Sequence, residues 1–283
     1  MSTMNMMHST PAQSVNAKGR LITFDYPRIM GILNVTPDSF FDGGQHQHLD
    51  AALKKAEQLL EEGADILDIG AYSSRPGAAL ISVQEELDRA IPVIEKMAGI
   101  FPHAILSIDT FRAEVAEQSI KAGAHIINDV SGGTLDDQMF ETVANLQVPY
   151  ILMHMRGVPE NMQEMTTYDD IITDIATFLG SRVSVLRSLG VKDIILDPGF
   201  GFAKSLQQNY ELLHRIDELH YLGLPILGGL SRKSMIYKKL HLTPENALNG
   251  TTALNTLLLS KGVQLLRVHD VKEARQIVDL LFQ

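Results

Sequence analysis

Short apolar runs alternate with amphipathic segments along most of the chain. The runs are nearly all apolar and rich in β-branched residues, which is typical of strands buried on both faces of a sheet. The predicted strands, in chain order, are RIMGILNV, ILDIGA, AILSIDT, HIINDVS, PYILMHM, IILDPGF, PILGGL and LLRVHDV. Between them, segments such as AALKKAEQLLEEG and SVQEELDRAIPVIEKM carry apolar residues at helical spacing.

This alternation predicts an α/β protein with a (β/α)8 TIM barrel, formed as a single domain by residues 21–283. Gly63 and Gly123 stand where helix-ending glycines belong. The segment RLITFD, before the first barrel strand, predicts an extra strand or hairpin that covers the barrel bottom. Residues 1–20, rich in Met, Ser and Thr, are predicted to be a disordered N-terminal tail. An open doubly wound sheet is the alternative, but no Gly-x-Gly-x-x-Gly follows an early strand.

Composition narrows the class of protein. Hydrophobic residues make up 45% of the chain and charged residues 20%, as in ordinary globular proteins. The net charge of −10 argues against a nucleic-acid partner, because phosphate binding needs a basic surface. The absence of cysteine excludes disulfides, thiolate metal sites and cysteine nucleophiles, and it fits a cytoplasmic protein. No apolar run approaches the ~18 residues of a membrane helix, so we expect no membrane partner.

Polar side chains stand at the carboxyl ends of the predicted strands, where barrels of this kind carry their active sites. Acidic and amide residues end several early strands, and cations follow the seventh strand and stand on the eighth. These residues are Asn34, Asp109, Asn128, Asp129, Asp197, Ser231, Arg232, Lys233, Ser234, Arg267, His269 and Asp270. Any one of them alone could be a helix cap or a satisfied strand-end group, and Asp68, Asp129 and Asp270 fit that structural interpretation. Together they predict one site at the barrel mouth.

The residue types indicate what the site binds. Carboxylates and amides suit a flat ligand with several N–H donors and carbonyl acceptors, while Arg267 and His269 suit an anion. His154 could be a metal ligand, but a packed, hydrogen-bonded histidine is favoured because the first strand offers no His-x-His partner. For Arg232, a structural ion pair and a ligand contact are both open interpretations. The loops TPDSFFDGG and YSSRPGA are predicted to be mobile lids.

The motifs resemble, in order, those of the dihydropteroate synthase family of pterin-binding barrels. They are MGILNVTPDSFFDGG, DIGAYSSRPGA, SIDT, IINDVSGG, LMHMRGVPENMQ, LDPGFGFAKS, GLSRKS and LRVHDV, and they span most of the predicted barrel. The resemblance implies an enzyme of folate biosynthesis that condenses 6-hydroxymethyl-7,8-dihydropterin diphosphate with p-aminobenzoate. The products would be 7,8-dihydropteroate and diphosphate. It also implies Mg²⁺ as cofactor, a homodimer and an enzyme of the class that sulfonamides target as p-aminobenzoate mimics.

The resemblance also assigns roles to residues of this chain. It implies that the pterin ring is held by Asp109, Asn128, Met153, Asp197 and Lys233. It implies that the diphosphate is held by Asn34, Arg267 and His269, with Asn34 also near the metal. The p-aminobenzoate side would comprise Phe40, Ser74, Arg75, Pro76, Phe202 and Ser234. The catalytic set it implies is Asn34, Asp38, Lys233, Arg267 and His269, with Asp42 on the same moving loop as Asp38.

The chain departs from the family pattern in its first two loops. The second loop of the family reads Gly-Glu-Ser-Thr-Arg-Pro-Gly, whereas this chain has Tyr72 for the glutamate and Ser74 for the threonine. Phe41 stands where serine is common. Three rival functions follow from the same residues: a pterin-dependent methyltransferase, a catalytically silent pterin-binding paralogue, and a Schiff-base aldolase that uses Lys233. As mechanism we expect a loose, ionising displacement in which the diphosphate leaves before the amine is fully bonded.

Overall fold

The computed structural model describes residues 13–36, 45–72, 81–158, 161, 162 and 164–282, with only the backbone of residues 45–47. A hairpin of two strands comes first, β1 (Ser14–Ala17) and β2 (Arg20–Thr23). The parallel strands that follow are β3 (Arg28–Asn34), β4 (Ile66–Gly70), β5 (Ile105–Asp109), β6 (Ile126–Asp129), β7 (Tyr150–Met153), β8 (Ile194–Asp197), β9 (Leu227–Gly228) and β10 (Leu265–Val268). Each falls within one of the predicted apolar runs.

The parallel strands form a closed barrel surrounded by helices. Their order in the sheet is β8-β7-β6-β5-β4-β3-β10-β9, and a parallel bridge between Leu196 and Ile226 closes the ring. The helices are α1 (Gln45–Glu61), α2 (Val83–Ile100), α3 (Ala113–Ala122), α4 (Met139–Leu146), α5 (Ile171–Ser188), α6 (Leu206–Arg215), α7 (Ser234–Tyr237), α8 (Leu248–Ser260) and α9 (Val271–Leu281). The predicted (β/α)8 barrel is confirmed, and the open doubly wound sheet is excluded because β8 and β9, the two ends of this order, meet at the bridge between Leu196 and Ile226.

The N-terminal hairpin packs against the barrel bottom. Val15, Ala17, Ile22 and Phe24 share an apolar cluster with side chains from the amino-terminal halves of the barrel strands, including Met30. The hairpin predicted around RLITFD is confirmed. The prediction of a disordered tail over residues 1–20 is wrong for residues 14–20, because alternate side chains of β1 are buried and β1 pairs with β2. Residues 1–12 lie outside the described residues.

The main core lies between the barrel and the helices. It joins side chains such as Leu67, Leu106 and Leu152 on the strands to Ala90 and Leu179 on the helices. In the part of the chain that the structure describes, no helix combines the length and apolar character needed to cross a membrane. The carboxyl ends of the strands are left free of this packing, and the polar residues predicted above stand there.

Candidate active site

Arg267, on β10, lies between two buried carboxylates at the mouth of the barrel. Its Nε is 2.6 Å from Oδ2 of Asp68 on β4, and its Nη2 is 2.7 Å from Oδ2 of Asp109 at the end of β5. The amide nitrogen of Asn128, at the end of β6, donates to the same Asp68 oxygen over 2.9 Å. Asp68 therefore orients two predicted site residues, which agrees with its expected structural role.

Burial and neighbouring charges act against each other on both members of this pair, and both pKa values are raised. Burial raises the pKa of Asp109 to about 7, against the lowering effect of Arg267. Burial alone would lower the pKa of Arg267, but the carboxylates of Asp68 and Asp109 outweigh it and raise that pKa above its usual value. Arg267 is therefore a permanent cation, whereas Asp109 changes charge near neutral pH.

A second pair of charged groups, Asp197 and Lys233, stands across the mouth. Asp197, at the end of β8, accepts a hydrogen bond from the backbone nitrogen of Gly199 over 2.7 Å. Lys233, just before α7, donates to the backbone oxygen of Phe200, and its Nζ lies 4.7 Å from the ring centroid of Phe202. Burial raises the pKa of Asp197 and lowers that of Lys233 to about 8, and the attraction between the two opposes both shifts.

Two glycines lie beside the oxygen atoms of these groups. A Cβ built at Gly70 would lie 3.2 Å from Oδ1 of Asn34 and 3.8 Å from Oδ2 of Asp109. A Cβ at Gly229 would lie 3.9 Å from Oδ2 of Asp197. Since neither position carries a side chain, no side chain from Gly70 or Gly229 covers these carboxylate and amide oxygens.

The loop between β8 and α6 is held by a buried lysine. Lys204 is only 3% exposed, and its Nζ donates to the backbone oxygens of Gly199 and Phe202 over 2.8 and 3.0 Å. The same nitrogen is 3.1 Å from Nδ1 of His154. A Cβ at Gly199 would lie 2.1 Å from the backbone oxygen of His154, so this close approach of the loop to β7 requires glycine. Phe202 is thereby carried by a fixed backbone.

The remaining predicted site residues within the described part lie around the same mouth. Met153 is opposite Asp197 in the β7–β8 register and is almost fully buried. Ser234 is the first residue of α7 and is partly exposed. His269 follows β10 and is exposed, and its backbone nitrogen donates to the hydroxyl of Ser231 over 3.2 Å. The predicted residues that lie outside the described residues are Asp38, Phe40, Phe41, Asp42, Ser74, Arg75 and Pro76.

Several polar residues are structural, as the sequence suggested. The carboxylate of Asp129 accepts backbone hydrogen bonds from Ser131 and Gly133, so it fixes the turn after β6. Arg232 forms a two-pronged ion pair with Asp270 at 3.0 and 2.6 Å, which settles the open interpretation of that arginine in favour of structure.

His154 is packed and hydrogen-bonded. It contacts the ring of Phe178, and burial together with the neighbouring Lys204 lowers its pKa to about 2.

Two residues of this region have no predicted role in the sequence analysis. Lys204 lies in the motif LDPGFGFAKS, between a glycine-rich turn and the serine that caps α6. Tyr72 is, in the sequence, only a departure from the family pattern. Its hydroxyl lies 3.3 Å from Oδ1 of Asp109, which no local pattern indicates.

Comparison with known proteins agrees with this geometry. The family model described as pterin binding enzyme matches residues 30–269. Dihydropteroate synthase of Escherichia coli K12 is 44% identical over 259 residues, which is 91% of each chain. The structure of Xanthomonas albilineans dihydropteroate synthase with 4-aminobenzoic acid is 42% identical, with a TM-score of 0.88 over 95% of this chain and 97% of that one. Its complex with 7,8-dihydropteroate is 39% identical, with a TM-score of 0.84 over the same shares of the two chains.

These matches cover nearly the whole barrel, so the chain belongs to the pterin-binding enzyme family. Its activity within that family is that of a dihydropteroate synthase, a transferase that forms dihydropteroate.

Proposed function

We propose that the barrel mouth joins p-aminobenzoate to 6-hydroxymethyl-7,8-dihydropterin diphosphate, with the roles given above for its residues. The observation that carries this proposal is the arrangement of Asp109 and Asp197, both buried at strand ends beside Gly70 and Gly229, which carry no side chain to cover their oxygens. Such acceptors, together with the donor Lys233, match a flat heterocycle that has N–H donors and a carbonyl oxygen.

The pterin ring binds to the most deeply buried side chains of the site. One edge of a pterin presents an amino group beside a ring N–H, and a single carboxylate can accept from both. Asp197 is suited to this role because one of its oxygens is already oriented by the Gly199 nitrogen. Lys233 donates to the ring oxygen and nitrogen, while Asp109, Asn128 and Met153 complete the pocket.

The diphosphate is the ligand of Arg267, His269 and Asn34. Arg267 uses Nε and Nη2 to bind barrel carboxylates, and Nη1 takes part in neither bond. Asn34 fits a magnesium site, because its amide oxygen stands at the strand end beside Gly70, which has no side chain to cover it, and Mg²⁺ needs few protein ligands when phosphates and waters supply the rest. When bound, the ion neutralises charge that accumulates on the departing diphosphate.

The reaction breaks the bond between the pterin methylene carbon and the diphosphate oxygen, and the diphosphate leaves with the electron pair. The arylamine lone pair then forms the C–N bond, and the amine loses one proton to water. Because the electron-rich pterin stabilises a cation at that carbon, we propose a loose, ionising displacement. The protein contributes electrostatic stabilisation of the leaving group and alignment of the amine, which needs no strong base because it is neutral at pH 7.

The p-aminobenzoate lies on the outer side of the pterin. Phe202 offers a ring face for stacking, held by the Lys204 anchor, and Ser234 at the start of α7 offers a hydroxyl and a backbone N–H. The proposed contributions of Phe40, Ser74, Arg75 and Pro76, and of Asp38 in catalysis, rest on the resemblance alone. The proposed homodimer and cytoplasmic location have the same support, and light scattering of the purified protein tests the first.

The first experiment measures diphosphate release from the pterin diphosphate and Mg²⁺, with and without p-aminobenzoate. We expect release that depends on p-aminobenzoate, with dihydropteroate formed in equal amount. Pterin binding without release would indicate the silent paralogue. Trapping of a carbonyl substrate on Lys233 by borohydride would indicate the aldolase, and methyl transfer from a methylated pterin would indicate the methyltransferase.

A further inference from the structure

The side chain of Tyr72 lies directly behind a carboxylate of the pterin pocket. Tyr72 follows β4 after one residue, is 8% exposed, and donates its hydroxyl to Oδ1 of Asp109 over 3.3 Å. The other oxygen of Asp109 accepts from Arg267 over 2.7 Å. The two donors come from β10 and from the segment after β4, so they hold the carboxylate of β5 from two sides.

The packing of the Tyr72 ring does not explain why the residue is a tyrosine and not a phenylalanine. It meets the ring of Phe111 edge to face, with centroids 5.2 Å apart, inside an apolar cluster that contains Met153 and Met155. Phenylalanine would make the same packing contacts without burying a polar atom. Burial of the hydroxyl carries a desolvation cost, and its hydrogen bond to Asp109 offsets part of this cost.

We propose that Tyr72 is a positioning residue for the pterin substrate. Its hydroxyl, opposite Arg267, fixes the Asp109 carboxylate in the orientation and the ionised form that accept a hydrogen bond from the pterin ring. The proposal rests on the proposed function, in which Asp109 contacts the pterin, and adds to it a residue that need not touch the substrate.

The charges around Asp109 explain why a second donor matters. Arg267 on β10 and Lys233 before α7 favour its ionised form, while Asp68 on β4 and Glu86 on α2 oppose it. Burial is the largest influence, and it raises the pKa of Asp109 to about 7. A hydrogen bond donated to the carboxylate lowers this pKa, so removal of the Tyr72 hydroxyl raises it further.

The test is the variant Tyr72→Phe, assayed as kcat/KM for the pterin diphosphate from about pH 5 to about pH 9. We expect the acidic limb to move to higher pH by about half a unit or more, and the KM for the pterin diphosphate to rise several-fold below pH 7. At pH 8, where Asp109 is ionised in both proteins, the difference shrinks. The KM for p-aminobenzoate stays within about twofold, because the amine lies outside this contact.

Tyr150→Phe is the matched control. The Tyr150 hydroxyl is also buried and donates to a buried carboxylate, that of Asp129, over 2.6 Å. That carboxylate fixes a turn, so the variant loses stability without any shift of the acidic limb. An unshifted limb and an unchanged pterin KM in Tyr72→Phe, with the fold intact, would overturn the proposal.

Asp109→Asn separates this failure from failure of the proposed function. If Asp109→Asn abolishes pterin binding while Tyr72→Phe behaves as wild type, only the role of Tyr72 is refuted. If Asp109→Asn binds the pterin diphosphate normally, the pterin role of Asp109 itself is refuted, and the inference falls with it.

Discussion

Hydrogen bonds from the protein orient each strand-end carboxylate of the site. Asp197 accepts from the Gly199 backbone N–H, and Asp109 accepts from the guanidinium of Arg267 and the hydroxyl of Tyr72. These hydrogen bonds restrict the rotation of each carboxylate about its carbon–carbon bond, while its remaining lone pairs stay available to a ligand. We therefore expect that the loss of one carboxylate oxygen, of Asp109 or of Asp197, weakens pterin binding.

The variant Asp197→Asn tests this dependence. The amide keeps the shape and one acceptor of the carboxylate, but it turns an N–H₂ group toward the donors of the pterin. We expect a loss of at least about 2 kcal/mol in pterin binding, or roughly 30-fold in Kd, measured by calorimetry. Asp137→Asn, at an exposed position after β6, is the control and should bind as the wild type does. Equal affinities for the two variants would remove Asp197 from the pterin site.

The pH dependence of catalysis should report on Asp109 and Lys233. Asp109, with a pKa of about 7, is protonated below that pH and can no longer act as a pure acceptor. Lys233, with a pKa of about 8, loses its charge above that pH. We therefore expect a bell-shaped profile of kcat/KM with limbs near these two values. Lys233→Arg should remove the alkaline limb, because a guanidinium stays charged, and a limb that persists in this variant would refute the assignment.

At the scale of elements, the loop between β8 and α6 has a backbone conformation that its own residues fix. Gly199, Gly201 and Ala203 have positive φ angles of 73°, 82° and 49°, and Ser205 begins α6 with a capping box. Lys204 donates hydrogen bonds to two backbone oxygens of this loop. Burial holds the pKa of Lys204 well below its ordinary value. Phe202 is therefore held both by this backbone geometry and by packing against the apolar cluster that contains Met153 and Met155.

Lys204→Met tests the anchor. The apolar side chain fills a similar volume but leaves the backbone oxygens of Gly199 and Phe202 without their donor. We expect a loss of about 1–3 kcal/mol in the free energy of unfolding, measured with urea, and a raised KM for p-aminobenzoate. Lys96→Met, at an exposed position of α2, should change neither quantity by a comparable amount. An unchanged KM for p-aminobenzoate would show that Phe202 needs no anchor.

The sequence predicts the positions of the strands better than it predicts the contacts between side chains. Apolar runs such as the one ending in Asp109 mark their strands because a strand buried on both faces leaves few polar positions. Strand ends then bring Asp109, Asn128 and Asp197 to one mouth by topology alone. By contrast, Arg267 pairs with Asp68 across 199 positions of sequence and Tyr72 reaches Asp109 on the next strand, and such pairings depend on side-chain directions that no local pattern encodes.

At the scale of the whole molecule, the N-terminal hairpin closes the barrel from below. The two-residue turn at Lys18 and Gly19 has positive φ at both positions, which matches the twist of a tight hairpin. Its buried face extends the core by one layer, so residues 14–24 belong to the folding domain. The polar residues of β1 resemble those of a disordered segment, so composition predicts disorder there. The alternation of Val15 and Ala17, which marks a strand, spans too few residues to be recognised in the sequence.

Ile22→Ala tests the contribution of this layer to stability. Ile22 is 4% exposed beneath the barrel, so its truncation should lower the free energy of unfolding by about 2–4 kcal/mol while both KM values stay unchanged. Leu21→Ala, one residue away and 67% exposed, is the control and should change stability by less than about 0.5 kcal/mol. Similar stabilities of the two variants would mean that the hairpin is not part of the core.

Because the hairpin closes the barrel at the bottom, substrates reach the site only from the mouth. The substrate that binds deeper must then bind before the substrate that covers it, so binding is ordered. The groups assigned to the pterin, Asp109 and Asp197, are 7% and 6% exposed, whereas Phe202 and Ser234 lie nearer the rim. An excess of p-aminobenzoate should therefore obstruct the pterin, and initial rates that fall at high p-aminobenzoate, and recover with more pterin diphosphate, would reveal this order of entry.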